Sequence, residues 1–257
     1  MTAFTANFKS SKDMIHLCQT LSELFGRIST DFFNFLIAGN QAGKKLNIAL
    51  SGGSTPRAFF ERIAEDQQNQ HEIPWSLVHF FWVDERCVPP SDAESNYGMT
   101  QSALLSRINL PEGNIHRIHG ENDPEEESLR YSHEIEKNVK FEAGLPVFDW
   151  IFLGIGNDGH TASIFPGRTD LLNATSICKA VRHPVTGQGR ITLTGKPIVS
   201  AKKLTFLVTG ESKSLVVGQI INKEPAASDY PAAYIARNRQ DAEWYLDASA
   251  ATYIKSL

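Results

Sequence analysis

The chain has 257 residues, 41% of them hydrophobic and 21% charged, enough to bury a large core in one α/β domain or two small ones. Its formal net charge of −4 excludes a broadly basic nucleic-acid-binding surface but leaves room for a few Arg and Lys side chains to hold one small anion. Cys18, Cys87 and Cys178 lie far apart without paired spacing, which argues for reduced thiols and against a disulfide framework or a zinc site. The longest apolar run near the N-terminus, Phe32 to Ala38, is too short to span a membrane, and no secretory signal precedes it; a cytoplasmic protein is the expectation.

In chain order, Met14, Leu17, Leu21, Leu24, Ile28, Phe32, Phe35 and Leu36 recur at steps of three and four, which predicts one amphipathic helix over residues 12–38, ended by Gly39-Asn40. Leu46 to Leu50 reads as a buried strand that runs into Ser51-Gly52-Gly53-Ser54-Thr55-Pro56, and helical spacing resumes over Arg57 to Glu65. In that turn Gly52 and Gly53 permit close approach of backbone N–H groups, Thr55 suits the helix cap and Pro56 the first helical position. Free N–H groups beside two hydroxyls make a phosphate cradle; the competing reading is a plain tight βα turn.

Leu77 to Val83 is a second buried strand, ending at Asp84-Glu85-Arg86. Ligands of open α/β sheets sit at such carboxyl ends, so Arg86 either meets a ligand or pairs with a nearby carboxylate. Ser95 caps a helix reaching to about Arg107, and Ile115 to Ile118 forms a short strand. Pro124 starts a helix whose acidic first turn, Glu125 to Glu127, is read as solvated, with Tyr131, Ile135 and Val139 as its inner stripe. His116, His119 and His133 lack metal-ligand spacing and are taken as structural.

Phe148 to Leu153 is a strand that empties into Gly154-Ile155-Gly156-Asn157-Asp158-Gly159-His160-Thr161-Ala162-Ser163. Taken alone, this stretch is equally a reactive loop and a glycine-rich surface turn. Further on, Gly187 to Thr194 is a loop leading into an alternating strand, with Arg190 at its start. Lys203 to Thr209 is another apolar strand, and Lys213 falls in the first turn of a helix continuing through Leu215 to Ile221, where a cation opposes the helix dipole unless an anion is near. Trp244 to Leu246 makes a last strand and Ala248 to Ile254 a terminal helix. The alternation predicts an α/β fold: a mostly parallel sheet with helices on both faces, as one domain over residues 1–257, with a small helical excursion around 117–145.

Four motifs stand in order: Ser51 to Pro56; Val83-Asp84-Glu85-Arg86 with Ser95-Asn96-Tyr97; Gly154 to Pro166; and Arg190-Ile191-Thr192-Leu193-Thr194. Together they resemble the 6-phosphogluconolactonases of the glucosamine-6-phosphate isomerase/6-phosphogluconolactonase family, over nearly the whole chain from Leu46 to Asp247. The resemblance implies a modified Rossmann-like sheet and hydrolysis of 6-phospho-D-glucono-1,5-lactone in the oxidative pentose phosphate pathway, without metal or cofactor. It implies His160 as the general base, taking a proton from water and returning it to the ring oxygen. Asp158 then orients His160 or stabilises its charged form. Phosphate binding falls to Gly52, Gly53, Ser54 and Thr55 with Arg190 and Lys213. Arg86 faces either the phosphate or the developing oxyanion, and Asp84 holds sugar hydroxyls or positions Arg86.

Ser163 has no nucleophile-elbow context, so serine-hydrolase chemistry is rejected. The family's deaminases carry a tyrosine where Arg86 stands and a glutamate soon after the histidine, whereas Thr161 to Pro166 contains no carboxylate. An isomerase or deaminase of an aldose or amino-sugar phosphate therefore ranks below the lactonase, and so does a non-catalytic sugar-phosphate sensor, whose expected DNA-binding module the charge balance does not suit. The expected partner is the small sugar-phosphate lactone, with no nucleic acid and no membrane; a monomer is favoured.

Overall fold

The computed structural model describes residues 14–67 and 73–255. Along these the chain forms β1 (Ile15–Cys18), α1 (Leu21–Gln41), β2 (Leu46–Leu50), α2 (Ser54–Asp66), β3 (Val78–Trp82), β4 (Asp84–Arg86), α3 (Asn96–Ala103), β5 (Ile115–His116) and α4 (Pro124–Asn138). A small hairpin of β6 (Phe141–Glu142) and β7 (Leu145–Pro146) leads to β8 (Trp150–Leu153), α5 (Thr169–Asn173), β9 (Cys178–Arg182), β10 (Gly189–Leu193) and α6 (Gly195–Val199). β11 (Lys203–Val208), α7 (Ser214–Ile221), α8 (Pro231–Asn238) and β12 (Glu243–Asp247) follow.

Among the described residues, seven strands form one sheet in the order β1-β12-β11-β8-β2-β3-β5, with every neighbouring pair parallel. Its central strands are buried on both faces, which is why Trp150-Ile151-Phe152-Leu153 reads as an unbroken apolar run. On one face Phe32 of α1 lies 5.9 Å from the ring of Trp150, and Phe59 of α2 lies 5.4 Å from Phe152. The alternate residues Ile151 and Leu153 point the other way and are equally buried. The α/β expectation of a mostly parallel sheet therefore holds. To it is added a three-stranded antiparallel sheet, β4-β10-β9.

Several elements differ from expectation. Residues 12 and 13 of the predicted first helix lie outside the described residues. Met14 and Leu17 do not share a helix with the later stripe, because Ile15–Cys18 is a strand paired in parallel with β12. Thr20 ends it: its hydroxyl accepts from Glu23 N, and Glu23 accepts in turn from Gln19 N, one residue before the cap, so that α1 starts at Leu21. Gly39 lies inside α1 against the Leu46 side chain, and the helix runs on to Gln41 before Gly43 turns left-handed at φ 61°.

The expected strand Leu77 to Val83 covers only Val78–Trp82; Asp84–Arg86 leaves the parallel sheet and joins the antiparallel one. α3 stops at Ala103, with a separate 3₁₀ turn at Leu105–Arg107, and the expected strand to Ile118 shortens to Ile115–His116. The acidic first turn of α4 is only partly solvated. Glu127 is buried and accepts hydrogen bonds from Arg130 and from His119 N. The expected terminal helix Ala248–Ile254 is a series of turns, tied down by Asp247, which accepts from Ala250 N and Gly210 N.

Candidate active site

β11, β8, β2 and β3 are consecutive in the parallel sheet, so the loops at their carboxyl ends share one edge. The chain leaves β2 toward β3 on one side and β8 toward β11 on the other, which makes the crevice between β2 and β8 the topological switch point of the sheet. A cleft of about 300 Å³ opens there. Every residue expected at the site lines it except Asp158, which is hydrogen-bonded to His160.

The loop after β2 is shaped by its glycines. Gly53 adopts φ 109°, and a side chain on Gly52 would drive into the Asn96 amide, 1.7 Å from Oδ1. Thr55 is not the cap expected of it. Gly53 precedes α2 without a side-chain cap, so the first-turn N–H groups of this 13-residue helix are not taken up by a capping side chain. Thr55 instead shares a 2.7 Å hydrogen bond with Thr209 beyond β11, and Pro56 sits third in the helix rather than first.

The loop after β8 closes on itself, with Gly156 N donating to His160 O at 2.9 Å. Gly159, at φ 82°, passes beneath Tyr230, where a Cβ would lie 2.3 Å from the ring. These constraints present His160 to the cleft, its ring 5.1 Å from that of Phe165. His160 Nδ1 lies 2.6 Å from Asp158 Oδ1. That hydrogen bond holds the Asp158 carboxyl down at about 2. An ionised Asp158 keeps the proton on Nδ1 and leaves Nε2 as the basic nitrogen.

Across the cleft, β4 and β10 pair antiparallel with Arg86 directly opposite Arg190 and Asp84 opposite Thr192. Arg86 Nη1 donates to Glu94 O at 2.6 Å. The Nε atoms of both arginines are buried without a hydrogen-bond partner. Among the described residues no carboxylate lies within ion-pair distance of Arg86, Arg190 or Lys213. Burial, and then the neighbouring Arg86 charge, pull the Arg190 pKa down. Lys213 sits in the 3₁₀ turn Glu211–Lys213 ahead of α7, not within the helix as expected, and burial lowers its pKa too.

Asp84 and Glu85 are adjacent carboxylates with opposite duties, as strand alternation requires. Glu85 turns away from the cleft and accepts from Arg86 N, Asn96 N, Tyr97 N and Ser95 Oγ, anchoring the start of α3. Burial pushes its carboxyl up, against the opposing effect of those bonds. Asp84 lines the cleft and accepts from Ser163 Oγ at 2.7 Å. Asp84 and Arg86 form no ion pair.

His183, which no motif of the sequence marks, also lines the cleft. Its Nδ1 accepts from Val185 N and Thr186 N, which fixes Nε2 as the N–H of the neutral ring, and its ring meets Phe165 edge-on at 4.9 Å. Burial, then the charges of Arg190 and His160, lower its pKa. The one available signal was the His183-Pro184 turn before the Arg190 strand, and without β9 that turn had no hairpin to belong to. Among the described residues, no group of three or more His, Cys, Asp or Glu side chains is placed to hold a metal ion, and no helix is long and apolar enough to cross a membrane.

A family profile described as glucosamine-6-phosphate isomerases/6-phosphogluconolactonase matches residues 19–244. The 6-phosphogluconolactonase of Haemophilus influenzae is 44% identical over 213 residues, covering 82% of this chain and 88% of its own. That of Aggregatibacter actinomycetemcomitans is 42% identical over 212 residues, covering 82% and 89%. The solved structure of 6-phosphogluconolactonase from Trypanosoma cruzi superposes with a TM-score of 0.82 at 30% identity, covering 97% of this chain and all of that one.

Proposed function

The chain belongs to the glucosamine-6-phosphate isomerase/6-phosphogluconolactonase family, and we propose that within it this protein hydrolyses 6-phospho-D-glucono-1,5-lactone to 6-phosphogluconate in the oxidative pentose phosphate pathway. One observation carries the proposal: the free Nε2 of the His160–Asp158 pair shares a cleft with two arginines whose Nε atoms are buried and which have no carboxylate within ion-pair distance among the described residues. The segment after His160, Thr161 to Pro166, carries no carboxylate where the family's deaminases have a glutamate, which favours lactone hydrolysis over ring-opening proton transfer.

In the reaction, His160 Nε2 takes a proton from water as the oxygen attacks C1 of the lactone. Negative charge gathers on the former carbonyl oxygen and is met by cationic side chains. The C1–ring oxygen bond then breaks, and the same nitrogen returns its proton to the leaving oxygen. Asp158 keeps the imidazole in the tautomer this requires. The phosphate is taken by the backbone N–H groups and hydroxyls of Gly52, Gly53, Ser54 and Thr55 with Arg190 and Lys213. Arg86, beside Arg190, serves either that phosphate or the C1 oxygen; a loss in kcat alone assigns the oxygen, and a rise in KM alone the phosphate. The neutral His183 Nε2–H adds a donor that does not depend on charge.

The chain acts as a single domain and as a monomer, which the cleft completed by loops of one chain supports, and it works in the cytoplasm. The test is coupled: glucose-6-phosphate dehydrogenase generates the lactone, and its decay is followed with and without the protein. Catalysed decay above the spontaneous rate is expected. Release of ammonia from glucosamine 6-phosphate, without lactone decay, would overturn the assignment.

A further inference from the structure

The face of β4 and β10 toward the cleft carries four side chains at the corners of one patch. Asp84 and Arg86 are two residues apart on β4, so they project from the same face. Thr192 stands opposite Asp84, and Arg190 opposite Arg86. A carboxylate next to one arginine and diagonal to another is within reach of both, because long side chains span the diagonal of a strand pair. Ion pairing is therefore the arrangement expected of this patch, and it would consume the charge that an anionic substrate needs.

The carboxylate instead forms neither ion pair, although its charge still acts on Arg190. Ser163 Oγ donates to Asp84 Oδ2 at 2.7 Å, and Asn96 Nδ2 approaches Oδ1 at 3.5 Å while donating to Asp84 O at 2.9 Å. Ser163 is itself pinned, since its N–H donates to Thr192 Oγ1 at 3.1 Å and the Thr192 hydroxyl donates to Leu193 O at 2.9 Å. Ser163, Thr192, Asn96 and Asp84 are all buried, the most exposed of them at 7%. Neutral donors thus satisfy the acid, while the Nε atoms of Arg86 and Arg190 remain buried and unpartnered.

We infer that Ser163 is a positioning residue: its hydroxyl, backed by Thr192 and Asn96, holds Asp84 off Arg86 and Arg190 so that the arginine pair stays uncommitted for a substrate anion. This rests on the proposal that Arg190 binds phosphate. It gives Ser163 a role other than nucleophile, three residues past His160 on the same loop. It also explains how a buried acid, a buried arginine and a half-buried one share one cleft without forming an ion pair. Without the hydroxyl, one lone pair of Asp84 loses its donor, and the guanidinium groups on the same face of the strand pair are charged replacements.

Inorganic phosphate binding, followed by calorimetry, tests this without any need for turnover. Wild type should bind phosphate, and R190A should weaken it; failure of either overturns the phosphate reading of Arg190, and the inference with it. Given that binding, S163A should weaken phosphate roughly tenfold, the scale of one lost bond to a charged group, with its melting temperature near wild type. The decisive variant is S163A/D84N. With the carboxylate charge gone there is nothing to collapse onto the arginines, so phosphate affinity should return to the wild-type level or above it. Unchanged affinity in S163A, or a double variant as weak as the single one, would overturn the inference.

Discussion

Two imidazole–carboxylate pairs in this molecule have the same geometry and different fates. In the cleft, His160 Nδ1 lies 2.6 Å from Asp158; at the edge of the parallel sheet, His116 Nδ1 lies 2.6 Å from Glu134. The difference is in the second nitrogen. His116 Nε2 meets His79 Nδ1 at 2.8 Å, and the His116 ring stacks on Phe81 with centroids 4.3 Å apart. His160 Nε2 has no hydrogen-bond partner among the described residues and opens on a cleft lined by arginine. A carboxylate behind a histidine fixes a tautomer in both places. Only where the other nitrogen is left free can that become proton transfer.

The largest expected effect separates the two pairs directly. H160A should lower kcat by roughly 100- to 10,000-fold while 6-phosphogluconate still binds. H116A should leave kcat and KM close to wild type and instead lose about 1–3 kcal/mol of stability in urea titrations, because its buried partners lose their bonds. Turnover near normal in H160A, or abolished in H116A, breaks the comparison.

D158N sharpens it. The amide can no longer hold the proton on Nδ1, so kcat should fall to between the values for wild type and H160A, with KM little changed; steady-state kinetics on all three proteins check the order. Smaller again are the anion contacts: R190A and K213A should each raise KM roughly tenfold with kcat less affected. An unchanged KM in both would displace the proposed phosphate site.

The smallest effect concerns pH and belongs to the structural pair. Burial, then the charges of Lys45 and His116, hold His79 down at about 4. An unfolded histidine titrates near 6.5, so between these values the unfolded chain binds more protons than the folded one. The contribution of His79 to stability is complete above about pH 6.5 and is lost as pH falls toward 4. Melting temperatures from pH 7 to pH 5 should therefore drop less steeply in H79Q than in wild type. Parallel curves would remove His79 from the acid response.

Much of the fold was legible because parallel strands buried on both faces write continuous apolar runs. Leu46–Leu50 was placed to the residue, and Trp150–Leu153 was caught within a run two residues longer. What failed were boundaries that local pattern does not encode. Ile15–Cys18 carries helical spacing but becomes a strand because β12 offers it an edge, and Ala248–Ile254 has helical composition but is held in turns by Asp247. Strand β9 and helices α5, α6 and α8 are not among the predicted elements; α5 and α6, at five residues each, are too brief to display a helical period.

By itself the sequence determined the alternating α/β plan and the chemistry-bearing side chains, because strand ends, glycine turns and ionisable residues are local features. Tertiary structure alone decided which of those side chains are free to act. Pairing β4 with β10 set Arg86 against Arg190, and the fold of the His160 loop brought Ser163 to Asp84 across 79 residues of sequence. Whether a charge is spent inside the protein or left for a substrate depends on such long-range neighbours, and no local pattern of residues records them.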